Sequence, residues 1–397
     1  MNHKLFVLPL AWAGLCAVSG CGGSDDAPAP APPPAVVKYL IGGTVSGLPA
    51  GASVTLANGG DTVNVAASGN FTFPVTVPAG TAYAVTIKTQ STDTTCRLQN
   101  GAGTMGSGAV NDIAVSCIPV LLATLPFTPA RQFAADYLGN VYLADTAENL
   151  IRKLSPTGQL TVHGYTSVPF VAPNAVAISR SGWLYIIDHP VGALDQFRNG
   201  GLDGSYSTDG VAMGGVHYNW FAASAYEERA AVDHGGAGVL RLNSNPKWPR
   251  YTTAGDDVAA ALAGTQGVAS NFAPASIVYG NETDSTLYIA DSGNSVIYKA
   301  PFQGGITVFA GTPGVRGSAD GAAGTGSLNL TAASALTIDE LGNLYVSGVG
   351  GVRKIAPNGT LSTPQLAWGT PALDSITYAK PLLYGRVQNT VIQSYLP

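Results

Sequence analysis

The chain has 397 residues, only 11% of which are charged, and its formal net charge is −5. It carries no basic patch and no stripe of Arg and Lys, so we expect no nucleic-acid partner. Glycine is abundant, at 50 residues, and short alternating runs lie between Gly, Asn, Asp and Pro turns. Long helical periodicity is absent, and the pattern predicts an all-β protein.

The first 20 residues predict export. Lys4 precedes an apolar run at positions 5–18, which is too short for a comfortable membrane span. The run ends in Val-Ser-Gly-Cys at 18–21, which resembles the lipobox of bacterial lipoproteins. The resemblance implies that residues 1–20 are a signal peptide and that the Cys21 thiol takes a diacylglycerol. The alternative is an ordinary secretory signal in which Cys21 is incidental.

Residues 21–35 predict a Pro/Ala-rich tether. Such a segment buries nothing, and its prolines favour an extended conformation that would hold the folded part away from the lipid surface. Gly22 follows the lipidation site, whereas in the lipoprotein family an Asp there favours the inner membrane. The sequence therefore predicts an outer-membrane protein that is held by its acyl chains and faces the periplasm or the surface.

Residues 36–119 predict a small β-sandwich. Turn clusters separate six alternating runs, which lie at 39–45, 53–57, 62–66, 70–75, 82–88 and 112–117. The module resembles the immunoglobulin-like modules of bacterial surface lipoproteins. The resemblance lies in Gly-Gly-Thr-Val-Ser-Gly-Leu at 42–48, Gly-Asn-Phe-Thr-Phe at 69–73, Tyr-Ala-Val-Thr-Ile at 83–87, and Cys96 with Asn-Gly-Ala-Gly-Thr at 100–104. It implies a stalk or spacer.

The cysteines predict one disulfide. Cys16 leaves with the signal peptide and Cys21 is acylated, so Cys96 and Cys117 remain as a pair in an oxidising compartment. The competing interpretation is a metal site, which needs more ligands than two thiols, and no histidine lies near them in sequence. The pair also fits the pattern of the immunoglobulin-like modules.

Residues 120–397 contain a repeated unit. Leu-Tyr-Ile-Ala-Asp at 287–291 returns as Val-Tyr-Leu-Ala-Asp at 141–145 and in part as Leu-Tyr-Val at 344–346. Six such units follow one another at roughly 40–58 residues, and four strands per unit indicate the blades of a propeller. The last unit is one strand short, and the apolar segment at 119–125 could supply that strand. The sequence therefore predicts a six-bladed β-propeller closed by an N-terminal strand.

The repeats resemble the NHL family of propellers. The resemblance lies in Asp-Glu-Leu-Gly-Asn-Leu-Tyr-Val at 339–346, Ala-Gly-Thr-Pro-Gly at 310–314 and Ala-Asp-Gly at 319–321. It is uneven, because the third unit is degenerate around 228–233. The fifth unit has Gly348, and the sixth has Arg386, where other units have an aspartate.

Four aspartates occupy equivalent strand ends, at Asp145, Asp188, Asp233 and Asp291. An aspartate in this place accepts hydrogen bonds from the following backbone amides and so stabilises the turn. The functional alternative is a calcium ion held at the channel mouth, although no dedicated calcium loop is present.

Two histidines repeat one dipeptide, since His189 follows Asp188 and His234 follows Asp233. Imidazoles converging at a propeller mouth could bind zinc. Only two occupy matching positions, however, and turn histidines are commonly exposed to solvent. We therefore expect no cofactor, with calcium or zinc as the alternative.

An aromatic-rich segment offers a candidate binding surface. Its members are Tyr206, Asp209, His217, Tyr218 and Trp220. Aromatic faces flanked by small residues could stack on a sugar or grip a peptide. The alternative is that Trp220 and its neighbour Phe221 fill the space between blades.

No motif of a nucleophile, metalloprotease, phosphate loop or dinucleotide site occurs. The sequence predicts a lipid-anchored binding module for a protein, peptide or glycan rather than an enzyme. The alternatives are a metal-dependent propeller enzyme of the lactonase or lyase type and a structural component of the cell envelope.

Overall fold

A computed structural model describes most of the chain after the first 34 residues. The described ranges are 35–164, 170–179, 182–188, 196–200, 206–207, 218–223, 229–233, 239–242, 271–281, 286–301 and 306–396. The regular elements in these ranges are all strands, which confirms the predicted all-β class. No helix in them is long and apolar enough to cross a membrane.

Ten strands form the first folded unit. They are β1 (Lys38–Tyr39), β2 (Ile41–Ser46), β3 (Val54–Asn58), β4 (Asp61–Val65) and β5 (Gly69–Thr72). They continue with β6 (Val77–Pro78), β7 (Ala82–Gln90), β8 (Thr94–Gln99), β9 (Ala102–Thr104) and β10 (Val110–Pro119). Two four-stranded sheets have the orders β5-β2-β10-β8 and β4-β3-β7-β9, and the short pair β1-β6 stands apart.

The two sheets pack face to face, as predicted for a sandwich. Ile41 and Ile113 of one sheet share a core with Val54 and Leu56 of the other. Strand β10 runs parallel to β2, and the two come so close that a Cβ at Gly43 would lie 1.9 Å from the carbonyl oxygen of Ile113. Only glycine fits at that contact.

Strands β8 and β10 also carry the cysteines. Cys96 and Cys117 are register partners on these antiparallel strands. Their sulfur atoms are joined in the structure, with 2.06 Å between them. Strand β8 was not among the runs predicted from the sequence.

The remaining strands form six sheets. Strand β11 (Leu121–Thr124) comes first. Blade 1 has β12 (Phe133–Ala135), β13 (Val141–Asp145), β14 (Leu150–Leu154) and β15 (Leu160–Val162). Blade 2 has β16 (Pro173–Ile178), β17 (Leu184–Asp188), β18 (Gln196–Gly200) and β19 (Tyr206–Ser207). The described strands of blade 3 are β20 (Tyr218–Ala223), β21 (Arg229–Asp233) and β22 (Val239–Leu242).

Blade 4 has β23 (Pro274–Tyr279), β24 (Leu287–Asp291), β25 (Val296–Ala300) and β26 (Thr307–Ala310). Blade 5 has β27 (Leu336–Ile338), β28 (Leu344–Gly348), β29 (Gly351–Ile355) and β30 (Leu361–Ser362). Blade 6 has β31 (Ser375–Ala379), β32 (Leu382–Val387) and β33 (Thr390–Tyr395), and β11 completes its sheet beside β33. The three described strands of the degenerate third unit therefore pair in the same order as the first three strands of the four-stranded blades.

The six sheets close into a ring. The first strand of each blade contacts the first strand of the next, in the cyclic order β12, β16, β20, β23, β27, β31 and back to β12. Strand β11 pairs antiparallel with β33, with Leu121 opposite Ile392 and Thr124 opposite Thr390. The prediction of a six-bladed propeller closed by an N-terminal strand is confirmed.

The repeated phrase explains the packing between blades. In β13, β17, β24 and β28 the second residue is a buried tyrosine, and Tyr384 of β32 is buried as well. A fully buried aromatic side chain removes a large apolar area from water, so these rings stabilise the layers between sheets.

Candidate functional site

The central channel contains a cavity of about 320 Å³. All six blades contribute to its wall through their first strands, and five of them, all but blade 3, also through residues of the turns that follow. Its half-buried wall positions carry small or branched side chains: Ala135, Ile178, Ala223, Val278, Ile338 and Thr377. The channel wall is therefore mainly apolar at this end.

Arg131 crosses the channel at the other end of the first strands. It lies just before β12 in blade 1, and its Nη2 atom donates to the carbonyl oxygens of Ala275 at 3.4 Å and Ser334 at 3.2 Å. Its guanidinium also stacks over the ring of Trp220, 5.5 Å from the centroid. One side chain thus connects blade 1 with blades 3, 4 and 5, and it stacks on Trp220, which lines the cavity.

Burial and, to a smaller extent, the positive charge of Arg386 lower the pKa of Arg131 to about 10, against the opposing effect of Asp374. Arg386 is buried too, donating to the carbonyl oxygen of Arg131 at 3.2 Å and lying 3.5 Å from Asp374. Burial lowers the pKa of Arg386 as well. The two arginines form a buried, positively charged inner end of the channel.

The mouth of the cavity has a polar rim. Tyr378 donates a short hydrogen bond to Glu340, and the Lys380 ammonium lies 3.0 Å from the other carboxylate oxygen. Burial and the contact with Glu340 raise the pKa of Tyr378 far above its usual value. Burial alone would raise the pKa of Glu340, but hydrogen bonds from Tyr378, the backbone and Lys380 outweigh it and leave that pKa lowered.

A second polar cluster supports the rim from below. One carboxylate oxygen of Asp339 accepts from the amides of Leu341 and Asn343, and the other from the Asn343 side chain and the Tyr345 hydroxyl. Asp136 has the corresponding four contacts in blade 1. These carboxylates stabilise their turns, and they thereby position the rim residues.

The aspartates at the ends of the second strands also serve the scaffold. Asp188 accepts from the amides of Val171 and Ala172. Asp291 accepts from the amides of Ala273 and Gly293, and Asp145 forms an ion pair of 2.9 Å with Arg152 in the next strand. These contacts tie each strand end to a turn or to a neighbouring strand.

The structure does not describe the side chains of most residues that were proposed for metal or ligand binding. His189, Asp209, His217 and His234 lie outside the described residues. The backbones of Tyr206, Tyr218 and Asp233 lie in strands, but the structure does not describe their side chains. Within the described ranges, no three His, Cys, Asp or Glu residues are placed to hold a metal ion.

Trp220 is the aromatic candidate that the structure does describe. It is buried, lines the channel cavity, and donates from Nε1 to the carbonyl oxygen of Ile277 at 3.0 Å. Its ring also supports the guanidinium of Arg131. The sequence did not indicate the contribution of Arg131, Glu340, Tyr378 and Lys380, because these residues come from three different blades. The one sequence signal for this site was Arg386, which occupies a position where other repeat units have an aspartate.

Solved structures with a similar fold are known. A structural genomics protein of unknown function from Bacteroides thetaiotaomicron has a TM-score of 0.51 at 13% identity, over 87% of this chain and 91% of that one. A gluconolactonase from Xanthomonas campestris has a TM-score of 0.48 at 14% identity, over 70% and 89%. An auxiliary nutrient binding protein from Bacteroides thetaiotaomicron has 0.47 at 10%, over 86% and 89%.

At 13% identity, the first of these similarities extends to the fold alone. No protein-family model and no curated protein sequence matches the chain.

Proposed function

We propose that this chain is a lipid-anchored protein of the outer membrane whose NHL-type propeller binds a protein, peptide or glycan. Cys21 would carry the lipid, residues 21–35 would be the tether, and the immunoglobulin-like sandwich at 36–119 would be a spacer. The propeller at 120–397 would present the binding surface. The observation that carries the binding role is the cavity at the channel mouth.

The cavity is shaped as a cup. Trp220, which supports the guanidinium of Arg131, lines it, and polar groups of blades 5 and 6 lie at the mouth beside an apolar wall. Ligand sites are commonly apolar clefts with a few placed polar groups, and they measure about 300–1,000 Å³. At about 320 Å³ the cup is small, so it suits one side chain or one sugar ring of a larger partner.

The protonation states at the rim favour binding over catalysis. The pKa of Glu340 lies below its usual value, and the pKa of Tyr378 lies above its usual value. A general acid or base works best with a pKa near the operating pH, and these shifts move both groups away from neutrality. Glu340 is therefore ionised and Tyr378 protonated, and the hydrogen bond between them gives the rim a fixed geometry against which a ligand can bind.

Site-specific crosslinking in intact cell envelopes tests the proposal. Tyr137 lines the cavity and is 76% exposed, so a photoreactive phenylalanine analogue at that position should capture the partner. The control is the same analogue at Val349, which is 59% exposed in the turn at the opposite end of β28. A product from position 137 alone supports the proposal. No product at 137, or the same product from both positions, contradicts it.

A further inference from the structure

A second and larger cavity lies between the sandwich and the propeller. Its volume is about 700 Å³. Residues 87–90 of β7 and 96–98 of β8 form one wall, and residues of blades 5 and 6 form the other. We call it the junction cleft. It is within the size range of small-ligand sites, which often occur between domains.

Hydrogen bonds hold the two walls of the junction cleft together. The amide of Tyr395 in β33 donates to the hydroxyl of Thr95 in β8 at 3.1 Å. The side chain of Gln393 donates to the carbonyl oxygen of Pro119 at 3.0 Å. These bonds fix the sandwich wall against the propeller wall, which preorganises the cleft for a ligand.

The junction cleft concentrates positive charge. Lys88 and Arg97 face it from the sandwich, and Lys354 and Lys380 face it from the propeller. The only other Lys or Arg of residues 36–119 is Lys38, so two of the three cations of the sandwich lie here. This is a notable bias in a chain with a net charge of −5.

The carboxylates of the junction cleft leave three of these cations without an ion-pair partner among the described residues. Asp339 is occupied by its four turn contacts, and Glu340 by Tyr378 and Lys380. Among the described residues, Lys88, Arg97 and Lys354 form no ion pair, and Lys354 lies over the ring of Tyr345 at 6.0 Å. Three cations that lack an ion-pair partner, beside two carboxylates already engaged by other groups, form an attractive field for an anionic ligand.

The other lining residues indicate the chemical class of the anionic ligand. Thr89, Gln90, Asn343 and Gln365 supply a hydroxyl and amides, which donate and accept hydrogen bonds. Apolar side chains such as Leu396 lie between them. A ligand with many hydroxyls and a few oxyanion groups matches this mixture.

We infer that the junction cleft binds an oligosaccharide that carries carboxylate, sulfate or phosphate groups. This site is distinct from the channel cup, although the two cavities share Asp339, Glu340, Tyr378 and Lys380. Arg97 and Lys354 line only the cleft and would pair with the oxyanions of the sugar.

Calorimetric titration of the full-length protein in detergent tests the inference. The probes are trigalacturonate, a sulfated trisaccharide, a phosphorylated trisaccharide, neutral maltotriose and inorganic sulfate alone. At least one charged trisaccharide should bind, more weakly as salt is raised, and the neutral one should not. Which charged probe binds most tightly identifies the oxyanion.

A matched pair of double variants locates the site. Arg97→Gln with Lys354→Gln should weaken binding about tenfold or more, since two charge-assisted contacts are lost. The control is Lys38→Gln with Lys299→Gln. Lys299 lies over Tyr288 at 5.7 Å in blade 4, just as Lys354 lies over Tyr345, but neither Lys38 nor Lys299 lines the cleft. The control should bind as the unaltered protein does.

The inference is overturned if no charged trisaccharide binds, if maltotriose binds as tightly, or if both double variants weaken binding equally. Binding of inorganic sulfate as tight as that of the sugars would also overturn it, as an adventitious ion only. The proposed binding at the channel cavity is tested separately, because crosslinking from position 137 should persist in the Arg97→Gln, Lys354→Gln protein.

Discussion

Arg131 is the residue on which the centre of the ring depends. Its guanidinium bridges two carbonyl oxygens and stacks on Trp220. Such a buried charge is costly to desolvate, and the lowered pKa of Arg131 reflects that cost. Breaking these contacts would leave two carbonyl groups without a donor.

Arg131→Ala should therefore lower the free energy of unfolding by about 2–3 kcal/mol, measured by urea titration at neutral pH. Relief of the repulsion from Arg386 works against this loss, but it restores neither the carbonyl contacts nor the stacking. The control is Lys38→Ala, which removes an exposed cation of the sandwich and should change stability by about 0.5 kcal/mol or less. If Arg131→Ala leaves stability unchanged, the bridging role is wrong.

At the scale of single elements, the turn between the first two strands repeats in detail. The sequences Asp-Tyr-Leu-Gly-Asn-Val-Tyr at 136–142 and Asp-Glu-Leu-Gly-Asn-Leu-Tyr at 339–345 form the same buried cluster. In each, the carboxylate accepts four hydrogen bonds. Blade 2 has Ser179 at this position, and its hydroxyl accepts from the amide of Trp183 at 3.1 Å.

Asp136→Ala should destabilise the protein by about 3 kcal/mol, because two amides and the polar groups of Asn140 and Tyr142 lose their acceptor inside the fold. Glu148→Ala, an exposed acid of the same blade, should change stability by about 0.5 kcal/mol or less. Urea titrations of both variants provide the comparison. Equal stabilities would show that the cluster contributes little.

At the scale of the whole molecule, local sequence patterns predicted the architecture. They did not predict contacts between residues that are far apart in the sequence. The alternating phrase around Tyr142 and its relatives located all six second strands, because a strand and its turn are specified by adjacent residues. The closing strand followed from the missing edge of the last blade. Arg131 meets Ser334 across 203 positions, and no spacing in the sequence indicates such a contact.

The buried tyrosines of the blades predict a loss of stability in alkali. Burial, together with the charge of Asp136, raises the pKa of Tyr384 to about 12. An unfolded tyrosine ionises near pH 10, so the contribution of Tyr384 is complete below pH 10 and is lost as pH rises to 12. Because ionisation favours the unfolded chain in this window, Tyr384 alone should lower the free energy of unfolding by about 2 kcal/mol.

Urea titrations at pH 8, 10, 11 and 12 measure this effect. Tyr384→Phe should unfold with a shallower dependence on pH, whereas Tyr137→Phe, at an exposed position, should follow the unaltered protein. Arg131 acts in the opposite direction, since its lowered pKa means that its deprotonation above pH 10 favours the folded state. The pH dependence of Arg131→Ala should therefore be steeper than that of the unaltered protein. The same slope in all three variants would show that neither burial effect is coupled to unfolding.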